Sequence, residues 1–375
     1  MILIERKHAS YNGRGVCKLY IDSLILKSGL HMQGERTLSG IFHLLKGKKS
    51  IQTIHDARLF HLENFYGIHP TLRKDSFNLT IRVLIKSNYI VLESNHKELF
   101  YVTEMGRKWL EQQEEKIPFT YYKGLTYHGV SNVFFERLLL FIQTFANSKM
   151  KNFSFIPIVD KESITQWVKY IYKKTKATEQ IILSDLYHEL SYVLNQFKTT
   201  EASLFVDRIT SYNYYGLSIE QLTQKYDMSV EDVRLLFEAI IHRILTIVET
   251  NKNRFRILPV FLKDISTQHF ITNTAKATHQ LLLKQYSIEQ IAEIRGLKIN
   301  TIHDHLVEIS LYDRFFPIRT YVDQQTESEI LAAIANLNSM KLKDIKDAVS
   351  DDISYFQIRL VLSQSQIFSK MGEIK

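Results

Sequence analysis

A single cysteine, Cys17, stands in 375 residues. The chain can therefore form no internal disulfide and no cysteine-based zinc site, and a reducing cytoplasm fits it. Five prolines and thirteen glycines leave little room for flexible linkers and favour helices. No apolar run reaches membrane-spanning length, and the opening MILIERKHASYNGRG lacks the apolar core of a secretory signal. No G-x-x-x-x-G-K-[ST] loop is present; Gly13-Arg14-Gly15 lacks both its spacing and its lysine, so neither a nucleotide site nor a motor is expected. In His303-Asp304-His305 the imidazoles lie two residues apart, which turns them by about 200° on a helix and denies them a common ion. His55-Asp56 and His188-Glu189 are likewise adjacent rather than facing, and no motif supplies the convergent carboxylates of a nuclease. The expectation is a protein that is not an enzyme, with no metal and no cofactor.

The rest of the composition is that of an ordinary soluble protein, 45% hydrophobic and 23% charged, long enough for two or three domains. A net charge of +8, from 48 Lys and Arg against 40 Asp and Glu, permits nucleic-acid binding without demanding it. Much of the excess lies early, with nine basic and three acidic residues among the first fifty.

The most informative stretch is Ser287 to Leu306, SIEQIAEIRGLKINTIHDHL. Ile288, Ile291 and Ala292 share one helical face, Gly296 breaks the pattern, and Ile299, Ile302, Leu306 and Ile309 resume it. A small residue at the crossing and a glycine that allows positive φ are what two short helices need to pack steeply, so this is helix-turn-helix spacing. The spacing recurs earlier. Ser218-Ile219-Glu220-Gln221 repeats Ser287-Ile288-Glu289-Gln290, and Leu222, Met228, Val233 and Phe237 match Ile291, Leu297, Ile302 and Leu306. In this imperfect copy Asp227 replaces the glycine and Thr223 the alanine.

Residues 1–33 mix short β-prone and helical stretches and are assigned no element. Leu38 to Leu45 then read as a helix stopping at Gly47, Ile51 to Phe60 as a second capped by Ser50, and Arg73 to Lys86 as a third. Tyr89–Leu92 and Leu99–Thr103 read as strands joined by the turn Ser94 to Glu98. Three helices and a hairpin describe a winged helix. Its middle helix begins beside Lys46, Lys48 and Lys49, where free N–H groups already favour a phosphate, and Ser50, Gln52 and Thr53 can donate hydrogen bonds. Arg73 and Lys74 open the next helix, and Lys97 sits at the wing turn. A solvated basic turn is the plain alternative.

A helix-turn-helix would lay the start of its second helix on base edges, which nominates Lys298, Asn300, Thr301 and His303. Residues 269–319 nevertheless hold six basic against five acidic residues, so protein docking stays open there beside DNA contact. The intervening text is rich in aromatics that recur at helical spacing beside Leu and Ile, the mark of a packed core. The acidic run before Pro118 and the Ile257-Leu258-Pro259 break divide the chain into 1–116, a helical middle 117–258 with the imperfect helix-turn-helix at 216–245, and 259–375. The fold class expected is mainly α: an N-terminal winged helix with a small β-wing, a helical middle, and helix-turn-helix units toward the C-terminus.

Leu44-Leu45-Lys46-Gly47-Lys48-Lys49-Ser50, Leu84 to Ile90 and Tyr101 to Arg107 resemble the winged-helix RQC domain of RecQ helicases. The segment Ser287 to Leu306 is similar to the helicase helix-turn-helix domain at the C-terminus of some RecQ proteins. Both features without a motor between them resemble the bacterial YpbB family, linked to a RecQ-type helicase. The resemblance implies phosphate contacts at Lys48, Lys49 and Ser50, a wing near a duplex–single-strand junction, and a RecQ-family helicase as partner. Two departures stand out. The four-cysteine zinc module that precedes the RecQ domain cannot be built here, and the wing turn carries Asn95-His96-Lys97 rather than an aromatic wedge. The expected function is that of a cytoplasmic, non-catalytic accessory binding DNA forks or junctions with low sequence specificity, in repair, recombination or fork processing. A helix-turn-helix transcription regulator and a pure protein adaptor are the alternatives.

Overall fold

Few breakers and apolar residues at helical spacing should yield helices. In the computed structural model, which describes residues 19–93, 99–265, 271–313, 315–337 and 341–364, the only sheet among these residues is one two-stranded hairpin. The chain is mainly α.

The first helix, α1 (Leu19–Met32), has little period in its sequence because it has almost no solvent face, only His31 being exposed. Asp22, Ser23 and Ser28 are buried together with Ile21, Leu24, Ile25 and Leu26. α2 (Leu38–Lys46) ends at Gly47 with φ 70°, and Ser50 caps α3 (Ile51–Leu59) by accepting the Thr53 N–H. α4 (Lys74–Lys86) leads into β1 (Ile90–Leu92), antiparallel to β2 (Phe100–Val102) with Val91 opposite Tyr101. These elements fall close to their expected bounds. The turn Ser94 to Glu98, and with it Lys97, lies outside the described residues. Thr103 then caps α5 (Glu104–Gln113).

The middle of the chain runs through α6 (Gly124–Tyr127), α7 (Val130–Lys149), α8 (Glu162–Thr175), α9 (Glu179–Leu194), α10 (Thr199–Asp207), α11 (Ile219–Tyr226) and α12 (Val230–Thr250). Its rings are core. Phe134, Phe141, Phe145, Phe205 and Phe261 are fully buried, in line with their helical spacing. α12 is the central rod, packed against α1, α7, α10 and α11, and no residue from Glu231 to Glu249 is exposed. The remaining helices are α13 (Asn273–Leu283), α14 (Ile288–Arg295), α15 (Ile299–Tyr312), α16 (Gln324–Leu337), α17 (Leu342–Asp347) and α18 (Tyr355–Gln364).

Carboxylates reaching from distant helices hold several helix starts, where backbone N–H groups lack partners of their own. Asp232 on α12 accepts the N–H groups of Tyr20 and Ile21 at 3.0 and 3.3 Å. Glu189 on α9 accepts those of Arg256, Ile257 and Leu258 at 2.6–2.9 Å. Glu308 on α15 takes the N–H and hydroxyl of Thr272, which caps α13. The first joins stretches on either side of the Pro118 break, and the second holds the chain just before Pro259. No helix among the described residues is long and apolar enough to cross a membrane.

Candidate nucleic-acid interface

The Lys46–Ser50 turn is rigid because of what lies beneath it. Gly47 lets the chain reverse after α2, and a Cβ there would meet the His128 ring and the Gly67 backbone at 2.6–2.7 Å. The missing side chain serves packing against His128, not the approach of a ligand. Tyr66 donates its hydroxyl to the Lys48 carbonyl at 3.2 Å, and Gly67 donates its N–H to the Leu44 carbonyl. The lysines themselves point outward. Lys46, Lys48, Lys49, Arg73 and Lys74 are all exposed.

Two of them are steered. The Lys46 ammonium donates to the Leu72 carbonyl at 3.3 Å; that of Lys74 lies 4.6 Å from the Phe42 ring centre and donates to Ser39. Burial first, then Lys48, Lys74 and Lys46, hold the His43 imidazole below its usual pKa. Lys46 and Lys74 thus flank one ring, Phe42, at 5.5 and 4.6 Å, with exposed Lys48 beside them on the chain. Lys49 instead lines a groove shared with the C-terminal helices. Of the polar residues proposed beside them, Gln52 is exposed with its amide on Asp56 at 2.8 Å. Thr53 is buried with its hydroxyl shared with Ser50 at 2.8 Å, so it offers no donor to a surface ligand.

The helix-turn-helix at 287–312 forms as its spacing requires. Ser287 and Gln290 make a reciprocal capping box, and Gly296 ends α14 at φ 60°. α15, however, is not an open recognition helix. α13, α14, α18 and α3 surround it, and every residue from His305 to Leu311 is buried. Only its start reaches solvent: Lys298, Ile299 and Asn300 are exposed, and Thr301, His303 and Asp304 are partly so. The His303 ring lies flat on Phe356, 4.0 Å between centres, so it is covered rather than presented. Asp304 is paired with Arg359 at 2.6 Å, so its carboxylate is not free.

The packing of α3 on α15 brings the two ends of the chain together. Lys49, Ser50 and Gln52 from one side and Thr301 and Asp304 from the other line a groove of about 620 Å³, with Tyr355 and Arg359 of α18 completing it. Lys298, Asn300, Arg73 and Lys74 are not among its lining residues.

Residues 274–362 match a helix-turn-helix domain family. That span runs from the start of α13 through α18, so the matched unit includes the helices that enclose α15 as well as the motif itself. Along most of its length the chain is also similar to Protein YpbB of Bacillus subtilis (strain 168), 29% identical over 347 residues, which cover 92% of this chain and 97% of that protein. No solved structure matches it.

Sequence reasoning missed Tyr355 and Arg359. A local sign existed, since Ser354 and Gln357 form the same Ser-x-x-Gln box that opens α11 and α14. Nothing local says that the helix it starts will stand across from α15. Among the described residues no group of three His, Cys, Asp or Glu side chains gathers as a metal site needs.

Proposed function

We propose that this protein is a non-catalytic DNA-binding accessory that works with a RecQ-family helicase on forked or junction DNA, in repair, recombination or fork processing. One observation carries the DNA part of the reading. Lys46 and Lys74 flank the Phe42 ring and exposed Lys48 follows Gly47 beside the start of α3, gathering positive charge where phosphate neutralisation supplies affinity without regard to sequence. The helix-turn-helix match at 274–362 supports the same class of ligand. The helix–helix–helix–hairpin order of residues 38–102 supports a winged helix, and the RQC-like motifs within it favour a RecQ-type partner.

The packing of α15 argues against the transcription regulator, because beyond Lys298, Ile299 and Asn300 its start offers few exposed side chains for base edges, His303 lying on Phe356 and Asp304 paired with Arg359. Equilibrium binding to fork, duplex and single-stranded DNA at two salt concentrations tests the proposal. Expected are preference for the fork, a steep salt slope, and a loss of about tenfold or more on Lys48→Glu with Lys74→Glu. A preference of about 10³-fold for one duplex sequence would instead establish a regulator. The helicase partnership is tested by mixing the two purified proteins; absence of a complex, together with unchanged unwinding, would sink it.

A further inference from the structure

From the groove between α3 and α15 we infer a binding track for single-stranded DNA that is shared by the two ends of the chain, with Tyr355 as a base-stacking platform. This rests on the DNA-binding reading above and adds which form of DNA the groove takes and which residues hold it.

Shape disfavours a duplex at this site. An α-helix with its side chains is about 10–12 Å across and the B-DNA major groove about 12 Å wide, so only a protruding, exposed part of a helix can enter. α15 is accompanied on every side beyond its first turn by α13, α14, α18 and α3. What remains accessible is a groove of about 620 Å³, the size of a site for one or two small planar groups rather than for a double helix.

Its chemistry suits an unpaired strand. Tyr355, at the start of α18, is 48% exposed and lines the groove, the position an unstacked base needs in order to lie on a ring. Lys49 is exposed, and among the described residues it has neither a hydrogen bond nor an ion pair, so its charge is available to a phosphate. Ser50, Gln52, Thr274 and Thr301 surround it with hydroxyl and amide groups. The acidic residues in the wall are already committed: Asp304 to Arg359, and Glu308 to the N–H and hydroxyl of Thr272. They set the position of the wall without opposing a phosphate as free carboxylates would.

The strand leaving a fork would thus pass from the Lys46, Lys48 and Lys74 surface, which holds backbone of any form, into the groove, which accepts only an unpaired strand. The two surfaces adjoin because Lys48 and Lys49 are neighbours in the chain, and only Lys49 lines the groove.

The test uses the full chain with three probes: an oligothymidine, a blunt duplex, and a fork with one single-stranded arm. Tyr355→Ala and Lys49→Ala should each weaken oligothymidine binding by about tenfold, leave duplex binding within twofold, and erase the fork preference. Tyr355→Phe should restore it, because the ring and not the hydroxyl does the stacking. A photo-crosslinker in place of Thr301 should label the single-stranded arm and not the duplex. Equal loss for duplex and oligothymidine, or no loss for either, overturns the track while leaving the DNA-binding reading intact. If the unaltered chain binds none of the three probes, both fall.

Discussion

The two helix-turn-helix copies share their local construction and differ in nearly everything around it. Each opens with a Ser-x-x-Gln capping box, and each turns through a left-handed residue, Asp227 at φ 50° in one and Gly296 at φ 60° in the other. Each buries the matched pair, Val233 or Ile302, completely. Beyond that the environments part. Asp232 stands where the second copy has Thr301: the carboxylate is turned inward and holds the start of α1, whereas the threonine faces an open groove. Leu235 is fully buried where Asp304 pairs with Arg359 at the surface. One set of local instructions thus makes a core rod in one place and the wall of a binding groove in another. A motif of this kind specifies a shape; exposure decides whether the shape can touch a ligand.

The sharpest test of that contrast exchanges the corresponding residues. Asp232→Ala leaves two buried N–H groups without their acceptor and should cost about 2–4 kcal/mol in urea unfolding, whereas Thr301→Ala should stay within about 0.5 kcal/mol. Equal effects would erase the distinction between rod and wall.

Acid should strain the C-terminal copy through its neighbour α3. Burial first, then Arg36, Arg359 and Arg58, hold His55 down to about 3. The unfolded chain, with its histidine near 6.5, takes up the proton first, so stability present above that pH is lost progressively as pH falls toward 3. By pH 5 this linkage amounts to about 2 kcal/mol. His55→Gln should flatten the dependence measured by chemical unfolding between pH 7 and 5; an unchanged slope would remove His55 as its source.

The turn residues provide a smaller, symmetrical pair. Gly296 has open space where a Cβ would stand, so Gly296→Ala should cost only the backbone term, about 1 kcal/mol, and Asp227→Gly should gain up to a similar amount. Opposite signs would show that packing, not backbone, sets these turns. The smallest effect belongs to Lys298→Ala at the exposed start of α15: an unchanged melting temperature and a salt slope for DNA binding lowered by less than one. A larger drop would place the main phosphate contacts on this helix rather than on the Lys46–Lys74 surface.

Much of this was legible along the chain. Periodic apolar residues placed α2, α3 and α4, the hairpin and both helix-turn-helix units, because one-sided burial writes its period into the sequence. α1 was not legible for the converse reason: a helix buried almost all round, with Asp22, Ser23 and Ser28 inside it, has no clear polar stripe to mark it. Of the candidate site, the Lys46–Lys49 turn and the start of α15 could be nominated from residue type alone. Their division into a cationic surface and a groove could not, nor could the covering of His303 by Phe356 or the arrival of Tyr355 and Arg359.

By itself the sequence determined the helices, their caps and turns, and the gathering of positive charge near residue 48, all of which depend on residues within a few positions of one another. The tertiary structure alone decided which helix-turn-helix was sealed into the core and which kept an open edge, and that residues about 250 positions apart, Gln52 and Thr301, would line one groove. The reason is physical: propensity and capping act over one or two helical turns, whereas exposure is set by whichever distant apolar faces must be covered, and no short stretch carries that information.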